Sequence, residues 1–134
     1  MKSVLLFIAL ICVVTLGSSL APSVSTATRA AKNDRAVMKF SQPVILMGVT
    51  LLGEYLFVHD DPAMARGEAC TFVYKGTAEI PAKLVASFHC TPAERDRVAH
   101  FTVRSREITP GINELSEFQF GGSTEAHLVP TLVK

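Results

Sequence analysis

FTVRSREITPGINELSEFQF, Phe101 to Phe120, sets two runs of alternating side chains on either side of a proline and a glycine. Alternation of period two marks a strand with one buried face, and Pro-Gly in the centre of Thr109-Pro110-Gly111-Ile112 marks a turn. Pairing outward from Thr109 opposite Ile112 places Arg104 across from Glu117, Val103 across from Phe118 and Phe101 across from Phe120. Each pair matches in chemistry, as a correct register requires. Pro-Gly favours a type II turn, which suits a two-residue hairpin poorly and leaves room for a slip of register.

The same grammar extends through the chain. From Ala36 onward short apolar runs are broken by Gly, Pro and Asp, and none has the length and helical period to cover a sheet. The predicted strands are Val37 to Phe40, Val44 to Met47, Glu54 to His59, Cys70 to Lys75, Lys83 to Cys90, Val98 to Glu107, Glu114 to Phe120 and Ala126 to Val133. Two short helical turns are expected between strands. Asp61 to Gly67 offers an N-cap acid, an early proline and a closing glycine, and Thr91-Pro92-Ala93-Glu94 reads as a capping box. The expected fold is all-β: one small, mostly antiparallel β-sandwich or partly open barrel over residues 36–134.

The first residues set the compartment. Lys2 precedes the apolar run Val4 to Leu16, which Gly17 and two serines close. It is short of the roughly 20 apolar residues of a spanning helix and has the regions of a secretory signal. Ser25-Thr26-Ala27 is the expected cleavage signal, so residues 1–27 read as signal peptide and 28–35, with alternating charge and no apolar face, as a flexible lead-in. Cleavage removes Lys2 and no acid, leaving 12 basic against 12 acidic residues. A neutral chain lacks the basic excess that nucleic acid or an anionic membrane demands. The expected address is periplasmic or extracellular, with no membrane insertion of the mature chain; an envelope protein or a second copy of the chain is the kind of partner left open.

Two of the three cysteines, Cys70 and Cys90, survive cleavage. Folding Cys70-Thr71-Phe72-Val73-Tyr74 onto Leu84 to Cys90 sets Cys70 opposite Cys90, Phe72 opposite Phe88 and Tyr74 opposite Ala86. In an exported protein this predicts a Cys70–Cys90 disulfide, the alternative being two buried, reduced thiols. His89 and Cys90, adjacent in a strand, then point to opposite faces and form no nucleophilic dyad.

Other chemistry is sparse. The chain has no G-x-S-x-G elbow, no H-E-x-x-H and no phosphate loop, so no catalytic residue and no cofactor is assigned. His59-Asp60-Asp61 lacks the alternating ligands of a calcium loop and reads as a strand end that caps a turn. If Phe88 pairs with Phe101 and Cys90 with Ala99, His89 falls opposite His100, and two imidazoles so placed suit Cu(II) or Zn(II). The alternative is a pair of solvated histidines. A third ligand would have to come from His59 or His127.

Phe40 to Asp60, FSQPVILMGVTLLGEYLFVHD, resembles the opening of small exported bacterial β-sandwich proteins of unknown function, in which a glycine precedes a strand of alternating aromatics. Met47-Gly48 stands where those proteins often have Pro-Gly. The resemblance implies a compact β-sandwich or barrel with an envelope or extracellular address, and carries no activity or site residues. The functional expectation is an exported, non-catalytic binding or structural module of the cell envelope. A small periplasmic metal-binding protein using His89 and His100 is the alternative.

Overall fold

The computed structural model describes residues 33–132; the expected signal peptide and the first part of the expected lead-in lie outside the described residues. The fold is all-β. Its elements are β1 (Asn33–Leu46), β2 (Val49–Asp60), the short helix α1 (Asp61–Ala65), β3 (Thr71–Lys75), β4 (Leu84–Phe88), β5 (Thr91–Glu94), β6 (Thr102–Thr109), β7 (Ile112–Gln119) and β8 (Glu125–Leu128). β1 starts at Asn33, so the last three residues of the expected lead-in are strand. It also joins the two predicted strands around Pro43, through an irregularity in its pairing with β2 between Phe40 and Val44. Among the described residues no helix is long and apolar enough to cross a membrane.

All eight strands belong to one sheet, in the order β4-β3-β2-β1-β7-β8-β5, with β6 paired along β7. Pairing is antiparallel except for the contact of β1 with β7 at Val44–Asn113 and Ile45–Glu114. Two packed sheets are not formed; the sheet curls on itself as an open half-barrel. The curl is measurable in the core. Phe88 in β4 lies four strands from Phe118 in β7, roughly 19 Å across a flat sheet. Their ring centroids stand 6.4 Å apart.

Chain connectivity enforces this. β4 and β5 are the two ends of the sheet order, yet only His89 and Cys90 lie between them in sequence. Three extended residue steps span at most about 11 Å, so the two edges must approach each other there. Cys90 sits at that seam.

The hairpin of β6 and β7 keeps its predicted register at both ends and slips between them. Arg104–Glu117, Val103–Phe118 and Thr109–Ile112 pair as expected, whereas Ser105 to Glu107 run one residue out of step. Gly111 takes φ 78°, as the third residue of a type II turn must. The charge match at Arg104 also holds: Glu117 is buried and receives the guanidinium of Arg104 and that of Arg95, the latter at 2.8 Å.

Two other expectations fail for local reasons. Thr91 to Glu94 is not a helical turn but strand β5, paired with β8. As the last strand of the sheet it tolerates Pro92, which has no N–H to donate. The β3–β4 register is one residue from the predicted one, with Thr71 opposite Phe88 and Phe72 opposite Ser87. A slip of one residue changes the face of every side chain. Accordingly Val73 enters the main core, while Phe72 and Tyr74 join Leu56 and Val58 in a separate small cluster.

Candidate metal centre

The inner face of β2 reads Leu51, Tyr55, Phe57, His59, all buried. Alternation thus carries a histidine into the core at the strand's end, and His59 is fully buried. α1 follows at once. Asp60, rather than the expected Asp61, is its N-cap, with a side-chain oxygen accepting the Ala63 N–H at 3.0 Å. The turn brings Met64 over the seam, where its Sδ is 3.9 Å from Cys90 Sγ. From the far side of the sheet β8 supplies His127, paired with Phe118 and stacked on its ring at 5.0 Å.

Three donors converge here. Cys90 Sγ lies 3.4 Å from His59 Nε2 and 3.5 Å from His127 Nδ1, and the three atoms lie within 4.8 Å of one another. The two imidazole rings are 4.0 Å apart at their centroids. A tetrahedral ion with bonds of about 2.3 Å to sulfur and 2.05 Å to nitrogen would separate S and N by about 3.6 Å. The observed spacings are close to that edge.

Behind each imidazole stands a carboxylate. His59 Nδ1 is 3.1 Å from Asp61 Oδ1, at an angle too poor for a hydrogen bond, so this buried nitrogen has no hydrogen-bond partner. His127 Nε2 is 4.0 Å from Glu125 Oε1. Each outer nitrogen thus has a carboxylate nearby without a hydrogen bond to it; a metal-ligating histidine commonly has such a group bonded to its other ring nitrogen. Glu125 also lines a surface cleft with Pro92, Ala93, Glu94 and Thr124.

Burial keeps the group uncharged. It lowers the pKa of His127 to about 4, with His59 adding to the effect, and lowers that of His59 against the pull of Asp61. It pushes the Cys90 thiol up to about 12. The Cys90 sulfur therefore faces two neutral imidazoles, each carrying one N–H and one lone pair.

The expected disulfide is not formed. Cys70 and Cys90 are both buried and adjacent, as predicted, but free, with their sulfurs 3.1 Å apart against about 2.05 Å for a bond. Cys70 instead accepts the Cys90 N–H at 3.3 Å and stays outside the three-donor group.

His89 and Cys90 do point apart, since His89 is exposed and Cys90 buried. His89 is nonetheless drawn back toward Cys70, its Nδ1 being 2.8 Å from the Glu68 carbonyl and 3.9 Å from Cys70 Sγ. The predicted pairing with His100 is absent. β4 has only β3 beside it and β6 has only β7, so Phe88 does not face Phe101, and His100 lies in a bend before β6. The error came from pairing strands adjacent in sequence, whereas the sheet closes through the β4–β5 link. His59 and His127, expected only as sources of a third ligand, are the two imidazoles brought to Cys90. For His59 the signal was present: it shares the period of Tyr55 and Phe57, which marks it as inward.

Fold and site together define a small all-β protein with a buried two-histidine, one-cysteine donor group at the seam of a curled sheet. Comparison with family models, with curated proteins and with solved structures finds no match.

Proposed function

We propose that this chain is an exported, non-catalytic binding module of the cell envelope whose ligand is a thiophilic transition-metal ion held by His59, Cys90 and His127. What carries the reading is the convergence of two imidazole nitrogens on one buried sulfur at 3.4 and 3.5 Å. A cation would take one lone pair from each imidazole and displace the thiol proton, so that all three side chains serve one centre. The export reading rests on the apolar run Val4 to Leu16 and its small-residue boundary.

Cys70 gives the same site a second state. Without the ion, a disulfide oxidant can take two electrons and two protons from the 3.1 Å thiol pair and close a Cys70–Cys90 bond, withdrawing Cys90 as a ligand.

Titration of the reduced protein with Co(II), followed by Zn(II) displacement, tests the metal reading. One equivalent should bind with a thiolate-to-cobalt charge-transfer band. C90S, H59A and H127A should each weaken binding by about 100-fold or more, whereas H89A and H100A should leave it unchanged. Binding that survives C90S, or that depends on His89 and His100 instead, would overturn the assignment.

A further inference from the structure

The donor group leaves the fourth position of a tetrahedron to be filled, and the side chain nearest Cys90 on the α1 side is a thioether. We propose that the ion is copper in its cuprous state and that Met64 Sδ is its fourth ligand, a proposal that rests on the metal reading above.

The geometry fits a shared centre. Two metal–sulfur bonds of about 2.3 Å at the tetrahedral angle would hold their sulfurs about 3.8 Å apart. Met64 Sδ and Cys90 Sγ stand at 3.9 Å. Met64 is placed there by the sequence HDDPAM. His59 ends the strand, the Asp60 cap starts a single helical turn, and the turn returns Met64 to the strand end that His59 occupies. Met64 is half-buried and packs against the main core.

The donor chemistry selects the ion. Zinc takes imidazole, thiolate and carboxylate, but a thioether offers it little; a soft ion accepts thioether, thiolate and imidazole together. The oxidation state follows from Cys70. Two cupric ions beside this thiol pair would take its two electrons, leaving two cuprous ions, a disulfide and two protons, so only the reduced ion is compatible with the intact ligand set.

The test compares two ions on the reduced protein under anaerobic conditions, with bicinchoninate competing for Cu(I) and a chromophoric chelator competing for Zn(II). M64L is close in volume and should fold, which circular dichroism checks. It should weaken Cu(I) binding by about ten-fold or more while leaving Zn(II) within about two-fold, and copper-edge X-ray absorption should lose one of two sulfur neighbours. If C90S abolishes binding of both ions but M64L alters neither the Cu(I) affinity nor the sulfur count, the metal site stands and the copper assignment falls. Should C90S also leave both affinities unchanged, both readings fall.

Discussion

On the inner face of β2, Tyr55 and Phe57 pack against Phe40 with ring centroids 6.1 and 6.4 Å away, while two residues beyond Phe57, His59 faces His127 and Cys90. Both regions are buried to the same degree, and one strand supplies both. The rings of the first region pack on one another, and the one polar atom among them, the Tyr55 hydroxyl, accepts the Leu52 N–H at 3.4 Å. Phe57 also touches Phe101 at 5.2 Å and Phe118 at 5.7 Å, and such contacts have no polar atom to satisfy. The second region desolvates two imidazoles and a thiol and leaves His59 Nδ1 without a hydrogen bond. A purely structural core gains nothing from that arrangement, since burying a polar group without a partner costs about 1 to 3 kcal/mol. The contrast separates residues that hold the sheet closed from residues placed for a ligand.

Substitution at the aromatic end should have the largest effect. F57A removes a fully buried ring that contacts three others, and should cost about 3 to 5 kcal/mol in chemical denaturation, with or without metal. In the metal-free reduced protein, C90A should cost clearly less than this, because it deletes a single sulfur atom. If C90A proves as damaging as F57A without metal, the two regions do the same structural work and the division between them is wrong.

The thiol pair gives a second handle of intermediate size. Oxidation of the metal-free protein by oxidised glutathione should close Cys70 to Cys90 and stabilise the fold by on the order of 3 kcal/mol, for a loop of about 20 residues, less any strain in the native state. Bound metal should block that reaction. Mass analysis after alkylation distinguishes the states: two added carbamidomethyl groups in the reduced protein, none after oxidation, and protection from oxidation with the ion present. Oxidation at the same rate with and without metal would mean that Cys90 is not a ligand.

How much of this was legible in the sequence follows from the range over which each feature is fixed. The β6–β7 hairpin was readable because its turn and pairs lie within twenty residues, and Arg104–Glu117 and Val103–Phe118 pair as chemistry predicts. The Pro-Gly turn left room for a slip, but nothing in the sequence places it between Arg104 and Ser105. Proximity of Cys70 and Cys90 was readable for the same local reason, even though the register beneath it was wrong by one. The donor group was not, because it depends on sheet order. His59 and His127 come from strands separated in the sheet by β1 and β7, and only the curl brings them together. Nothing local in the sequence states that β4 and β5 are opposite edges.

The smallest expected effect concerns the β1–β2 turn at Met47-Gly48. Leu46 pairs with Val49, so the loop has two residues, and both take positive φ, 49° at Met47 and 79° at Gly48. This is the type I′ geometry that matches the twist of a tight hairpin. Proline cannot adopt it, because its ring fixes φ near −65°, so M47P should disrupt the turn. Methionine reaches it only against the clash of its Cβ with the backbone, a penalty of roughly 1 kcal/mol that asparagine tolerates better. M47N should therefore stabilise the protein by up to about 1 kcal/mol in thermal or denaturant unfolding, with no change in metal affinity, since the turn lies at the far end of β2 from His59. A shift in metal affinity from this substitution would show that the turn and the seam are coupled through β2, and that the two regions are not energetically separate.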